Sequence, residues 1–568
     1  MPTSTASRAS PPSHLDGVLE LVLADGSLTP RQRQDTASAV RTIARALGGG
    51  PEEIRAHPAA LRERLKSFTP AMAGLSARRW ANVLSLTTRA LGRAGLVRTP
   101  GRSREPFEPE WTALFRMVDG MGARMALSRF ARFCGARGIA PGQVGDAAFQ
   151  AFLDGLTADS LVRLPRKVQR KAAVTWNHMA AREPHWPGRA VAVPDHGWTF
   201  ALPWTAFPSS LKTDVDAYLD HLGGRDILAE LDFKPLAPAS LRTRGQQLRA
   251  FVSALAHQGV DPAALCGLRD VVAPETLKKG LRFFLDRAPD GSTEQAHGMA
   301  GVMAGVARHW VRADAAHLDA LRAIRRRLDP GPRGLTPKNR ERLRQFDDPD
   351  NVRRLLLLPA ALAALASRAA VPARKEALLV QSAVAIELLL LVPMRRRNLA
   401  LLETGRHLIR SRGGITHLAI PGHEVKNGTA IDAILPPSAI RLLDLYAARY
   451  RPLLATAESP FLFPDVGDRP KSRERLAHQI SACVRDHCGL LVHPHLFRHI
   501  AAKHYLKAHP GAYGVVRLLH GHRSVETTAR FYCGTETAAA VRHFDEHVLR
   551  LRGDPDGPGG ARPRARRS

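Results

Sequence analysis

Cysteine is scarce in this chain, with five in 568 residues: Cys134, Cys266, Cys483, Cys488 and Cys533. Their odd number and wide scatter exclude a disulfide framework and leave no paired C-x-x-C zinc site, so a reducing compartment is expected. Long hydrophobic runs are missing too. The most apolar stretch, Ala377 to Met394, is interrupted by Gln381, Ser382 and Glu387, which suits a buried core helix and not a membrane span. Met1 to Pro12 is rich in Ser, Thr and Pro without an apolar run behind a basic segment, so no secretory signal is expected. Acidic residues are few: 52 Asp and Glu face 83 Lys and Arg, giving a net charge of +31. A charge of that size attracts nucleic acid unless it is used, so a polyanion is the expected partner.

Hydrophobic residues make up 44% of the chain and charged residues 24%, the balance of a chain with real cores and not of a disordered one. The length implies roughly three to four domains. Periodicity is helical almost throughout, and one pattern occurs three times. Val40, Ile43, Ala44 and Leu47 share a helix face, as do Leu127, Phe130, Ala131 and Cys134, and Leu248, Phe251, Val252 and Leu255. Each set is followed by glycine, then by proline with an apolar residue three positions on: Pro51 with Ile54, Pro141 with Val144, Pro262 with Leu265. Related small helical modules explain this, and so does chance among many amphipathic helices.

Composition shifts at 98–110, 186–208 and 329–337 mark breaks. The expected organisation is a disordered tail (1–18), an N-terminal helical region of one or two small modules (19–200), a helical domain (203–330) and a basic linker (331–344). A last domain (345–552) and a disordered basic tail (553–568) follow. Within that last domain, Ile415 to Ile420 and Ala430 to Leu435 are β-prone, and the Asn427-Gly428 pair between them favours a hairpin. The fold class is therefore mainly α with a small β element.

Three clusters in the last third carry the chemistry. The first is Pro393-Met394-Arg395-Arg396-Arg397-Asn398-Leu399, which taken alone is a helix end decorated with cations. The second, Pro494-His495-Leu496-Phe497-Arg498-His499, sets His495 and Arg498 on one helix face. The third runs from Leu518 through His520-Gly521-His522-Arg523-Ser524 to Thr527-Thr528 and on to Phe531-Tyr532. An H-x-x-R-H box, then G-H-x-S-x-x-T-T and a tyrosine, resembles the catalytic domain of the tyrosine recombinases, or phage integrases. The arginine box and the hairpin lysine, Lys426, fall in that family's order, and the resemblance covers about residues 345–550. Residues 203–330 resemble, more softly, the family's helical core-binding (SAM-like) domain.

The resemblance implies a multidomain helical clamp on double-stranded DNA, acting as a homotetramer on two recombination sites without cofactor or metal. It implies no membrane partner, a cytoplasmic, nucleoid-associated location, and room for accessory DNA-bending proteins. It assigns six site residues. Arg395 and Arg498 clamp the scissile phosphate, for which an always-charged planar guanidinium suits better than lysine. Tyr532 is the nucleophile, and His495 takes its proton. His522 donates a hydrogen bond to a non-bridging oxygen, and Lys426 protonates the leaving 5′-oxygen. A 3′-phosphotyrosine retains the bond energy, so strand exchange needs no ATP.

The pattern also departs from the family's. Pro393 replaces a glycine, Asn398 replaces a carboxylate, and Tyr532 lies ten residues after His522 where nine is commoner and Phe531 stands. These departures leave open a catalytically degenerate DNA-binding protein of the same fold. A type IB topoisomerase-like enzyme shares the same side chains. The histidines 493, 495, 499, 504, 520 and 522 allow a metal-dependent nuclease as a reading of another class, although they lack H-E-x-x-H spacing.

Overall fold

The computed structural model describes residues 11–521 except 67, 99–100, 102–105, 188, 194–199, 225–232, 289–290, 332–333, 412–413, 457 and 466–467. Beyond 521 it describes 524–526, 529, 544–545, 547–549 and 552. The chain divides into two compact units, one of residues 1–193 with 334–568 and one of residues 194–333.

The first unit begins with two small helical modules. In the first, α1 (Leu15–Ala24), α2 (Pro30–Ala46), α3 (Pro58–Lys66) and α4 (Ala77–Arg93) enclose a core of Leu15, Val18, Val40, Ile43, Leu61, Val83 and Leu91. Thr29 and Gln32 form a reciprocal capping box that starts α2 with Pro30 in its first turn. Residues 15–18, expected in a disordered tail, belong to α1. Leu15, Val18, Leu19 and Val22 have the one-face spacing of a buried helix, and that stripe outweighs the polar residues before it.

The second module repeats the plan with α5 (Pro109–Met117), α6 (Met121–Gly135), α7 (Asp146–Ala158) and α8 (Pro165–Arg182). Its core is aromatic: Trp111, Phe130, Phe149, Phe152 and Trp176 interlock, with the Phe130 and Phe149 rings stacked at 3.9 Å. The second unit, residues 194–333, contains α9 (Ser209–Leu222), α10 (Pro238–His257), α11 (Leu268–Val272), α12 (Pro274–Asp286), α13 (Glu294–Val306) and α14 (Ala315–Arg327) around its own core.

The recurrent pattern seen in the sequence has one structural form in all three places. A long helix (α2, α6 or α10) ends, and the following proline opens a single 3₁₀ turn at Pro51–Glu53, Pro141–Gln143 or Pro262–Ala264. The apolar residue after that turn, Ile54, Val144 or Leu265, is buried in the core of its own module. Proline lacks the N–H needed to continue a helix, and its apolar follower pins the chain to the core.

The two N-terminal modules are joined by a buried cation. Arg62 of α3 is 5% exposed, and its Nη1 donates to the carbonyls of Thr157 (2.7 Å), Ser160 (3.1 Å) and Leu156 (3.4 Å) at the C-terminal end of α7. Those carbonyls have no partner within the helix and carry its negative pole.

The rest of the first unit starts with α15 (Pro337–Arg344). Although these residues lay within an expected linker, Thr336 caps them and Leu343 is buried. Four cations in eight residues masked one core residue. Next come α16 (Pro349–Ala366) and α17 (Arg374–Leu391), the apolar stretch noted above, now the central helix of the largest core. A short α18 (Arg396–Ala400) leads to the sheet of β1 (Leu408–Arg410), β2 (Thr416–Ile420) and β3 (Ile431–Ile434), antiparallel in that order. Ile420 faces Ile431 across the hairpin and Leu408 faces Leu418 across the other pair. Strand β1 was not expected, since three residues carry no readable alternation. The remaining helices are α19 (Pro437–Leu445), α20 (Arg473–Cys488), α21 (Leu496–Ala508) and α22 (Tyr513–His520). No described helix is long and apolar enough to cross a membrane.

The first module is docked onto α20 of this last domain. Thr69 Oγ1 donates to Arg485 O (3.2 Å), and a Cβ on Gly489 would lie 2.9 Å from Met72 N. Gly489 ends α20 in the left-handed conformation (φ 72°), so glycine serves both the turn and the close approach here.

Arg62→Met leaves three carbonyls at the end of α7 without their charged donor. A loss of about 2–3 kcal/mol is expected, read as a lower denaturant midpoint for the N-terminal modules; an unchanged midpoint would refute the role. Lys471, buried in the largest core, donates to Gln381 and Gln479 (2.6 Å to the latter), and burial lowers its pKa from 10.5 to about 8. Between those values the unfolded chain binds more protons than the folded one, so this group's contribution to stability rises with pH from about 8 to 10.5. The expected result is a pH dependence of Tm in that window that Lys471→Met flattens.

Candidate functional site

Helix α17 ends at Leu391 because Pro393 cannot continue it, and the turn that follows delivers Arg395 to the cap of α18. Helix α21 begins one residue after His495, so His495 sits at its entrance and Arg498 in its first turn. The hairpin between β2 and β3 brings Lys426 and Asn427 toward the same place, and α22 ends there at Gly521. These elements line a cleft of about 160 Å³ bounded by Pro393, Arg395, Asn427, Arg498, His520 and Gly521.

Arg498 is almost fully buried, at 4% exposure. Its Nη1 donates to Pro393 O (2.8 Å) and its Nη2 to His520 O (2.6 Å). The guanidinium thus joins the end of α17 to the end of α22 with backbone acceptors, which do not neutralise its charge. Arg395 is half-buried, which lowers its pKa, and its Nη1 donates to Asn427 Oδ1 (2.9 Å). The Asn427 amide in turn donates to Gly521 O. Gly521 is left-handed (φ 57°), and a Cβ there would lie 2.9 Å from Asn427 Nδ2. Two cations are therefore held at one cleft, Arg395 by an amide oxygen and Arg498 by two backbone carbonyls. Such a pair of guanidiniums is suited to an anion with several oxygens, a phosphate above all.

His495 opens to solvent at the edge of this cluster. Its ring meets His499 edge-on at 5.0 Å and lies parallel to His493 at 6.5 Å. Partial desolvation lowers its pKa, and Arg498, Arg395 and Arg396 lower it further. The imidazole is therefore neutral at neutral pH and able to accept a proton. His493 is lowered to about 4, first by burial and then by Arg342, His495, Lys338 and Arg396, and it bonds Asn339 of α15 (3.2 Å). Among the described residues no three His, Cys, Asp or Glu side chains are placed to hold a metal ion.

Of the six residues selected in the sequence, Arg395, Arg498 and His495 come together here. Lys426 is exposed beside Asn427 on the hairpin, with no hydrogen bond or ion pair among the described residues. His522 and Tyr532 lie outside the described residues. Asn398, which stands where the resembled family has a carboxylate, is buried and donates from Nδ2 to Glu424 O (3.3 Å), a bond no ionised carboxylate can donate. It ties α18 to the hairpin. Sequence reasoning missed Asn427, read only as a turn residue, and the carbonyls of Pro393 and His520. Backbone acceptors leave no trace in residue types.

Residues 360–537 match the family model described as the phage integrase family. Three solved structures are similar to this chain. XerA recombinase is 14% identical over 59% of this chain and 98% of that one, with a TM-score of 0.25. XerH site-specific recombinase bound to palindromic difH substrate, in a post-cleavage complex, is 12% identical over 60% and 95%, with a TM-score of 0.31. A lambda integrase dimer bound to a COC′ core site is 14% identical over 56% and 94%, with a TM-score of 0.34. No curated protein matches the chain.

The charge arrangement makes a direct prediction for His495. Its imidazole is expected to titrate below the ordinary histidine value of 6.5, and Arg395→Gln or Arg396→Gln, each removing a nearby cation, should move it upward. Proton NMR of the ring across pH 4–8 reads this, and a downward or absent shift in both variants contradicts the arrangement.

Proposed function

From the premise of a phage integrase family domain at residues 360–537, we propose that this chain is a site-specific DNA recombinase that cuts and rejoins strands through a covalent 3′-phosphotyrosine. The observation that supports this most is the convergence of Arg395 and Arg498 on one cleft, where an amide oxygen and two backbone carbonyls hold them. In-line attack of a tyrosine oxygen on phosphorus builds negative charge on the non-bridging oxygens, and two fixed guanidiniums meet it without reorganising. Arg498 is the more rigid of the two, since both of its terminal nitrogens are already anchored.

The proton movements follow from the neighbours. Tyr532, the proposed nucleophile, has an ordinary pKa near 10 and needs an acceptor. His495, whose pKa is lowered first by burial and then by the cations around it, is the candidate. The leaving 5′-oxygen needs a proton as the bond to phosphorus breaks, and exposed Lys426 on the hairpin is the candidate donor. The phosphotyrosine ester then accepts attack by a 5′-hydroxyl, which re-forms the phosphodiester and releases the phenol. His522 is proposed to hold a non-bridging oxygen. The partner is double-stranded DNA, and the arrangement proposed for exchange is a homotetramer on two sites.

A duplex nicked next to the cleavage position traps the intermediate because the short 5′ fragment diffuses away. With such a duplex recovered from the protein's own DNA target, a covalent adduct is expected in EDTA, lost in Tyr532→Phe and retained in Phe531→Tyr. Arg395→Lys and Arg498→Lys should each bind DNA yet cleave at least about 100-fold more slowly, in line with loss of an oxyanion-stabilising donor. An adduct that survives Tyr532→Phe, or cleavage restored only by added metal, rules the reading out.

A further inference from the structure

We propose that the second N-terminal module carries its own DNA-backbone site, on the outer face of α8, separate from the cleft described above. The proposal rests on the DNA-directed reading only for its choice of polyanion. Arg163, Arg166, Lys167, Arg170 and Lys171 fall within the lead-in and first turns of α8, and no Asp or Glu occurs from 160 to 182. Arg163, Arg166, Lys167 and Lys171 are exposed, and none forms an ion pair with any described residue. The opposite face of the helix, Gln169, Ala172, Ala173, Trp176 and Met179, is committed to the module core. The exposed cations of the helix thus lie away from the face packed in the core.

This placement works against the helix that carries it. Cations in the first turn oppose the positive pole of the helix dipole. Arg166 with Arg170 and Lys167 with Lys171 are like charges four residues apart, each pair costing a few tenths of a kcal/mol. Some cations elsewhere have partners: Arg93 at the end of α4 pairs with Asp25, and Lys212 pairs with Asp216. A segment that breaks three local preferences at once is where an external anion is expected.

The dimensions select the anion. From 163 to 171 the chain advances about 12 Å along the helix axis. A duplex presents roughly one charge per 1.7 Å of its axis, or about seven over that length. A single phosphate would engage one or two of the four exposed cations, whereas a duplex backbone engages the set. A folded RNA is the competing polyanion, and titration with each separates the two.

The full-length protein, unchanged or with Arg163→Gln, Arg166→Gln, Lys167→Gln and Lys171→Gln combined, is titrated with a random-sequence DNA duplex over a salt series. Backbone binding is sequence-independent, so the target need not be known. Each phosphate contact contributes about 0.9 to the slope of log affinity against log salt, so the variant slope should be shallower by about three to four. Its Tm should equal or exceed that of the unchanged protein, because like-charge repulsion has been removed. An unchanged slope overturns the proposal, and so does a slope loss seen with folded RNA but not with duplex DNA. The same variant is scored for covalent adduct on the nicked substrate at saturating DNA. Adduct formation with an unchanged slope refutes the α8 site alone, whereas a reduced slope with no adduct in either protein supports the α8 site and counts against the recombinase reading.

Discussion

The buried guanidinium of Arg498 is the interaction on which the site depends. Moving a cation out of water is costly unless hydrogen bonds and geometry compensate, and here the compensating groups are the carbonyls of Pro393 and His520. A carboxylate would have satisfied Arg498 more strongly, but it would have cancelled the charge that the cleft presents. Neutral acceptors hold the side chain and leave its field intact. The same bonds join the turn after α17 to the end of α22, so the approach to Arg395 and the last turn of α22 are oriented by one residue. Asn427 repeats the device on a smaller scale, positioning Arg395 with an amide.

This logic extends to His495. An imidazole among carboxylates would be protonated at neutral pH, whereas one among Arg395, Arg396 and Arg498 is neutral. Burial and the collected positive charge both act to lower the pKa of this ring. The loop that carries His495 begins at Gly489, against which the first N-terminal module is seated through Thr69 and Met72. Cys488 and Leu490 beside that glycine belong to the largest core. The module is packed onto the root of the loop that carries His495 and is not merely tethered to it by the chain.

Much of this was legible in the sequence, because the relevant signals are periodic or covalent. The stripes at Val40, Leu127 and Leu248 and the prolines at 51, 141 and 262 mark helix faces and helix stops, which depend on neighbours in sequence. The hairpin from Ile415 to Leu435 was readable from alternation and from Asn427-Gly428. What escaped notice depends on tertiary partners. Arg62 looks like any surface cation until three carbonyls of α7 surround it, and α15 looks like a basic linker until Leu343 finds the core. The early start of α1 was missed because its stripe is short and follows a polar segment. In the site, the residue types of Arg395, His495 and Arg498 announce themselves, whereas Asn427 and two backbone oxygens do not.

The excess of cations can now be divided by environment. At Arg498 and Arg62 the charge is buried, and backbone oxygens support it. At Arg93, Lys212 and Arg475 it is spent on exposed ion pairs, which contribute little. At Arg163, Arg166, Lys167 and Lys171 it is exposed and forms no ion pair among the described residues, and local helix energetics disfavour it. Charge of the first kind is explained by the fold and charge of the second kind by solubility. The third kind has no counterpart within the described molecule, so its free energy is recovered only when something outside the chain brings negative charge in a row.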